Sequence, residues 1–505
     1  MAQKKVVLAA IGIILTIFFI QKIIQKRRYK LPPTVKGWPV AGSIPDMPNP
    51  ANMWIVEAGK KYGEIFTINL GTTNMVILNS SHAINELLEK RSQKYSSRPP
   101  RPMVSDIMSG GNRMVFMQYS QRWRHHRKIM HSILNGRMAE KHFVPHQNWE
   151  SKRLAWDLLD NPENFFRIIQ RFSSSVIVSM IFGRRVPKND EFVRKSLALM
   201  DETARFVFSP WLNPADFFPI LAKLPKFLQW WRPMGDRAYR RCLDFYSKEY
   251  ESFKERYDRG ECFPCFCADM EKEETKEVKA LEYEEKLMIF ASLIEAGTDT
   301  SRTSTTQLIA AAATYPEWAA KARAYLDDVC GANAERLPTL DDRPKLPYIT
   351  AIVKEILRWR PFLPIGLPHM LAEDDEYNGW KLPAGTTVTW NAYGIALDEG
   401  HYIDAHAFKP ERFLDEHIDD VKRGHHAFGA GRRFCVGFNV GANNIWISAA
   451  VMLYCFDIKQ DPDYPIDIYN TDWNHLDFPF KAIITPRSQA HIDLIKRECA
   501  EAGQI

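Results

Sequence analysis

The run FGAGRRFCVG, Phe428 to Gly437, sets one thiol among three glycines, two arginines and two phenylalanines. A cysteine taken singly is more often a small buried hydrophobe than a reactive group. Here the flanks change that reading. Gly429, Gly431 and Gly437 allow backbone conformations closed to other residues, so the chain can lie against something flat and bulky. Arg432 and Arg433 favour thiolate over thiol at Cys435, or pair with an anionic group beside it. Phe428 supplies an apolar wall. The fold must therefore deliver distant segments to a loop built for a flat, partly anionic ligand bound through sulfur.

The remainder of the chain has ordinary globular composition: 505 residues, 45% hydrophobic and 25% charged, enough to bury a large core. A net charge of +6 is modest for this length. It gives no case for nucleic acid and fits, locally, an acidic partner or an anionic surface. Eight sparse, irregular cysteines exclude a disulfide-rich secreted scaffold. The tight group CFPCFC (Cys262, Cys265, Cys267) has no second Cys or His pair at finger spacing, and is expected in a variable surface loop rather than around zinc.

At the N-terminus, VVLAAIGIILTIFFI is extended past Gln21 and Lys22 by Ile23 and Ile24, a run of 19 positions. As a helix it spans about 28 Å, close to the roughly 30 Å of a bilayer's hydrocarbon core. The basic QKRRYK comes directly after, where a cleaved signal peptide would carry small residues. Residues 1–30 are thus expected to form a single-pass anchor with a basic flank, leaving the rest of the chain cytosolic. Residues 31–50, LPPTVKGWPVAGSIPDMPNP, are proline-rich and read as a stiff hinge. Residues 51–505 then form one large domain, mainly α with small β-sheets.

IFTINLGTTNMVILNS reads as a hairpin, and helical patterns dominate from there to about residue 360. Further β-leaning stretches are YNGWKLPAGTTVTW and FPFKAIITPR. Between Arg205 and Met234, aromatics, prolines and basic residues alternate without a clean period. Two readings stand open there: a loop with core anchors, or a lid dipping into the membrane interface.

Three further motifs bear on chemistry. AGTDTS, Ala296 to Ser301, lies in a helical pattern running from Tyr283 to before Pro316, with Leu293, Ala296 and Thr300 on one face. EILR places Glu355 and Arg358 one turn apart, and FKPERF adds Arg412. WRHHR places Trp123 and Arg127 one turn apart. Taken alone, Thr300 could simply bond its own helix carbonyl and Asp299 could be a solvated charge.

Together these segments resemble the cytochrome P450 family, whose heme-binding loop Phe-x-x-Gly-x-Arg-x-Cys-x-Gly is matched at every defining position. The resemblance runs from the anchor to FPFKAIITPR, and in texture is closest to membrane-anchored, microsomal enzymes of fungal secondary metabolism. It implies heme b with Cys435 as the axial thiolate ligand of the iron, in a loop with Phe428, Gly431 and Gly437. Arg433, Trp123 and Arg127 would hold heme propionates, with His369 standing where many relatives carry an arginine. Thr300 with Asp299 would deliver protons during oxygen activation, and Glu355, Arg358 and Arg412 would form a buried structural fastening. Gly441 stands where alanine is usual, and Ser301 where a second threonine is frequent.

The function so implied is a heme-thiolate monooxygenase in the endoplasmic reticulum membrane, inserting one oxygen atom from O2 into an apolar small molecule. Electrons would come from NADPH through cytochrome P450 reductase, with cytochrome b5 as a second donor. Pocket walls would come from Arg101 to Phe116, the aromatic lid, Phe290 to Thr300 and Leu363 to Leu367. Arg122, Arg124, His125, Lys128, Lys422, Arg423 and Arg432 could form a basic docking face or merely face solvent. Two alternatives are a heme-thiolate isomerase or dehydratase that does not use O2, and a non-catalytic heme- or lipid-binding anchor protein. The first has no use for an intact Thr300–Asp299 pair, and the second predicts decay of the heme loop.

Overall fold

Alternating β-branched residues around Gly71 fold back as the sequence pattern predicts. Strands β1 (Ile65–Leu70) and β2 (Thr73–Leu78) pair antiparallel, from Ile65 opposite Leu78 to Leu70 opposite Thr73. The computed structural model describes residues 29–503, apart from 49, 72, 137–139, 141–142, 189, 210, 273–275 and 470–478. The expected anchor at Val6 to Ile24 lies outside the described residues. The described residues form two compact units, one made of the stretch up to Pro99 with Gly366–Asn391, the other of Pro100–Ile365 with Ala392 onward.

The first unit holds helix α1 (Asn52–Tyr62) and a four-stranded sheet. In that sheet β2 runs parallel to β6 (Thr387–Trp390), which pairs antiparallel with β3 (His369–Met370). A separate hairpin, β4 (Asp375–Tyr377) and β5 (Trp380–Leu382), turns at Asn378-Gly379. Both turn residues have positive φ, 50° and 78°, the conformation that a tight hairpin of this hand requires. The proline-rich stretch runs along β1, with Val35 N–H donating to Thr67 O at 2.9 Å and Ser43 N–H to Asn69 O at 2.7 Å.

The second unit is helical. Its first half contains α2 (Gln121–Leu134), α3 (Val144–Asp160), α4 (Phe165–Phe182), α5 (Glu191–Phe208), α6 (Arg232–Asp258) and α7 (Phe266–Lys272). Then come α8 (Tyr283–Thr314), α9 (Pro316–Cys330), α10 (Pro347–Trp359), α11 (Phe438–Cys455) and α12 (Gln489–Gly503), with a small hairpin of β7 (Phe456–Gln460) and β8 (Ala482–Pro486). Helix α8 spans the residues its pattern predicts. A capping box of Glu282 and Glu285 starts it, and Tyr315 before Pro316 ends it. Its C-terminal half, Ser301 to Ala313, is buried throughout, and the helix as a whole packs chiefly against α4 and α11. A Cβ on Gly297 would meet Ile177 of α4 at 2.5 Å, so this glycine serves close helix packing. Among the described residues, the one stretch long and apolar enough to cross a membrane is 162–182. It is 83% buried in protein and is a core helix.

Two local expectations are refined. Cys265 and Cys267 are not in a surface loop: both are fully buried at the start of α7. Phe266 between them packs edge-on against Phe290 of α8, so the alternating Phe-Cys pattern is a core insertion, and burial pushes the Cys265 thiol up to about 12. Between α5 and α6, the segment is a loop with core anchors, and several of its aromatics face outward. Ala215 and Trp231 are fully buried anchors, while Trp211, Phe227 and Trp230 are 87%, 85% and 62% exposed.

The EILR pair is buried and completed as predicted. Arg358 on α10 grips Glu355 with Nη2 at 2.5 Å and Nε at 3.0 Å. Its Nη1 donates to the carbonyls of Ala396 and Ala405, at 3.0 and 2.5 Å. Arg412 Nε and the Lys409 backbone N–H both donate to Glu355 Oε1, at 3.2 and 2.8 Å. Together the carboxylate and Arg358 fasten residues 396–412 to α10. Glu355→Ala would strand two guanidinium groups, one of them fully buried, at a cost of about 3–5 kcal/mol. The expected outcome is a large drop in thermal midpoint and soluble yield, measured by circular dichroism melting. A variant melting within a degree or two of wild type would contradict this assignment.

Candidate functional site

The cysteine loop is shaped by two left-handed glycines, Gly429 and Gly431, with φ of 81° and 62°. The loop folds back so that Cys435 N–H donates to Phe428 O at 2.9 Å. Gly437 differs from the sequence-based expectation: its φ is −96°, which any residue adopts. What matters there is space, since an added Cβ would meet nothing within 4 Å. Phe428, Phe434 and Phe438 pack on one another with centroids 5.4 to 6.3 Å apart.

The Cys435 side chain presents surface, yet surrounding protein pushes its thiol pKa up as burial does. The Gly437 backbone N–H and the Arg127 charge pull it back towards thiolate. A sulfur that is accessible and desolvated at once faces an internal recess, not bulk water.

Helix α2 braces this loop. Ser120 caps it by accepting from Trp123 N–H at 3.1 Å. The buried Trp123 indole then takes the Arg433 guanidinium at 4.1 Å and that of Arg127 at 5.5 Å from its ring centroid. Arg127 Nη2 donates to Phe434 O at 2.5 Å, and Arg433 Nη2 to Met117 O at 2.7 Å. Two guanidinium groups are thus gathered beside the cysteine loop, where the sequence implied an anionic ligand edge. Further along α2, Arg122 Nε and His126 Nε2 both contact Glu285 Oε1, at 2.7 and 3.2 Å. Arg122 is therefore engaged by an acid at the start of α8 and is not a free member of the basic face.

Helix α8 is joined to α11, the helix after Cys435. Asn444 Nδ2 donates to Ser301 Oγ at 3.3 Å, and Thr305 shares a 3.2 Å hydrogen bond with Ser448. Ala296 is exposed in the middle of this otherwise packed helix, so the small-residue face at 293, 296 and 300 also borders open space. Thr300 Oγ1 donates to Ala296 O at 2.7 Å. Asp299 is held by Arg302, with 2.9 and 2.5 Å contacts to one carboxylate oxygen.

His369 lies in the other unit, buried, with Nδ1 2.6 Å from Tyr95 O and its ring edge-on to Trp390. Arg98 donates to the carbonyls of the two residues before it, Leu367 and Pro368, at 2.8 and 2.5 Å, and burial lowers the Arg98 pKa to about 10. Among the charged pairs of the helical unit that sequence reasoning passed over, one has its acid on α8 just before Ala296. Arg113 and Glu295 meet at 3.1 Å. An acid and a base inside otherwise apolar runs were the available signal.

The donor set fits heme. A soft sulfur ligand, two guanidinium groups for carboxylate arms, an aromatic wall and glycine-made space are the chemistry that a flat iron porphyrin needs. The comparisons agree. The family model for Cytochrome P450 matches residues 32–481. The chain belongs to the cytochrome P450 family.

Among relatives, Cytochrome P450 monooxygenase fogE of Aspergillus ruber is 32% identical over 92% of this chain and 89% of its own. Cytochrome P450 monooxygenase virE of Hypocrea virens is 31% identical over 94% and 89%, and Cytochrome P450 monooxygenase yanC of Aspergillus niger 32% over 98% and 96%. This P450 is accordingly a monooxygenase with heme bound through a cysteine thiolate. Replacing Arg127 by leucine should leave a folded P450 that retains heme poorly, read as a fall in the ratio of heme to protein absorbance after gel filtration. Full heme retention would remove Arg127 from the cofactor's anionic edge.

Proposed function

We propose that this P450 is a membrane-anchored enzyme of the endoplasmic reticulum that adds one oxygen atom from O2 to an apolar small molecule, a secondary metabolite. Electrons come from NADPH through cytochrome P450 reductase, and cytochrome b5 serves as a second donor. The observation that carries the reading is Cys435: an accessible sulfur in a desolvated recess, beside the guanidinium groups of Arg127 and Arg433. Cys435 would hold the iron, and Trp123, Arg127 and Arg433 the porphyrin's carboxylate edge; for His369, in the first unit, the same role is supported by family resemblance alone. Phe428, Gly431 and Gly437 shape the wall behind the ring.

Bound there, heme supplies the activation of dioxygen and the oxidising power. The chain supplies orientation and protons. Rotation of the Thr300 hydroxyl away from Ala296 O would aim its proton into the recess and free that carbonyl for water. Asp299, next to Thr300 and steadied by Arg302, would relay a replacement proton taken up from solvent water. Water exclusion falls to the apolar residues of α8 and the segment 101–116.

Two surface features support the partners. Arg124, Lys128, Lys422, Arg423 and Arg432 are exposed around the cysteine loop, with Lys422 over Phe438 at 4.5 Å and Arg432 on Tyr119. Such a face steers an acidic flavoprotein. Trp211, Phe227 and Trp230, with Lys223 and Lys226 between them, suit a membrane interface.

The deciding experiment is reconstitution with reductase and NADPH, then mass spectrometry of fed metabolites. Product should gain one oxygen atom, only with both NADPH and O2. Conversion without O2 would instead support an isomerase or dehydratase. Cys435→Ser should lose the red-shifted Soret band of the reduced carbonyl complex, and persistence of that band would exclude Cys435 as ligand. Thr300→Ala should consume NADPH while releasing peroxide and little product, and unchanged coupling would take Thr300 out of the proton path.

A further inference from the structure

Helix α8 carries a charge where its sequence is otherwise apolar. Glu295 precedes Ala296 and lies about 7.5 Å along the helix axis from Thr300. Its side chain is 15% exposed and meets the buried guanidinium of Arg113, which comes from the segment 101–116, at 3.1 Å. The two carboxylate oxygens differ. Oε1, which faces Arg113, is buried and makes no well-aligned hydrogen bond. Oε2 is not among the buried unpaired atoms, and no described group bonds to it; it is an accessible acceptor. Ala296, the next residue, is exposed in a helix that is otherwise packed, so Oε2 lies beside that opening; burial pushes the Glu295 carboxyl pKa up, partly offset by Arg113.

Arg113 is out of a ligand's reach, its side chain being 3% exposed. Its Nη1 donates to Thr203 Oγ1 at 3.1 Å, its Nη2 approaches Cys242 Sγ at 3.5 Å, and its Nε is buried. An anionic group would therefore find no accessible donor and would meet the carboxylate. A cationic group would leave an uncompensated positive charge in a pair that is neutral as it stands. A neutral donor, a hydroxyl or an N–H, satisfies the free acceptor without adding charge.

We propose that Glu295, held in place by Arg113, is a specificity-determining subsite that accepts a hydrogen bond from a neutral hydroxyl or N–H group on an otherwise apolar substrate. This rests on the reading of the Ala296–Thr300 face as the reaction side of the site. The subsite orients the substrate and takes no part in bond making.

The test uses the intact holoenzyme and 1-alkylimidazoles with tails of four to twelve carbons, ending in methyl, hydroxyl, carboxylate or ammonium, titrated by the Soret shift on binding. The chain-length scan samples the unknown span between the iron and Glu295. At its best length the hydroxyl tail should bind about tenfold tighter than the methyl tail, and the carboxylate and ammonium tails should gain nothing. Glu295→Gln should shrink that preference. The paired change Arg113→Met with Glu295→Met, which leaves no stranded charge, should abolish it while methyl-tail affinity is kept.

The proposal is overturned if no hydroxyl tail gains over methyl, if the gain survives the paired change, or if a charged tail binds best. A holoenzyme giving no Soret shift with any of these imidazoles refutes the recess as the heme site. Normal shifts without hydroxyl preference refute only the subsite.

Discussion

Trp123 lies against two guanidinium groups, and much of the site depends on that stack. Arg433 comes from the cysteine loop and Arg127 from α2, so the indole joins a loop to a helix through cation–π contacts that gain strength when desolvated. The same arginines then reach backbone carbonyls, Phe434 O from α2 and Met117 O from the loop. The helix thereby holds the loop, and the loop holds the segment that leads into the helix. Positive charge is concentrated beside Cys435, where an anionic cofactor edge can meet it.

Around this brace, the protein separates rigid support from chemistry. Glu355, Arg358 and Arg412 keep residues 396–412 against α10 through buried, charge-assisted bonds. The α8–α11 contact includes a polar seam, Ser301 to Asn444 and Thr305 to Ser448. Opposite the seam, α8 turns small side chains to the recess. A helix buried on most sides but open at Ala296 can place a hydroxyl and an acid near a ligand without distorting its own ladder.

Much of this was legible because it is local or periodic. The cysteine loop, the Glu355–Arg358 spacing, the Trp123–Arg127 turn and the bounds of α8 all lie within short windows where residue type and helical period suffice. Arg412 was legible only through resemblance, since nothing in FKPERF says which carboxylate it meets. The Arg113–Glu295 pairing was not legible: the apolar run around each member marks a charge that needs a partner, but the two are far apart in sequence and neither run says which partner it is. Gly437 was assigned to backbone freedom although its φ is ordinary, because a glycine kept for space looks the same in sequence as one kept for conformation. CFPCFC misled for a related reason: proline and cysteine suggest a loop, while the phenylalanine between two thiols is what buries them.

Glu285 has a consequence of its own. One of its oxygens takes Arg122 and His126 from α2, and the other takes the Glu282 backbone N–H that begins α8. A single carboxylate therefore serves as both tether and cap. The helix that braces the sulfur and the helix that carries Thr300 share one hinge pin, and loosening either one at this point slackens the other.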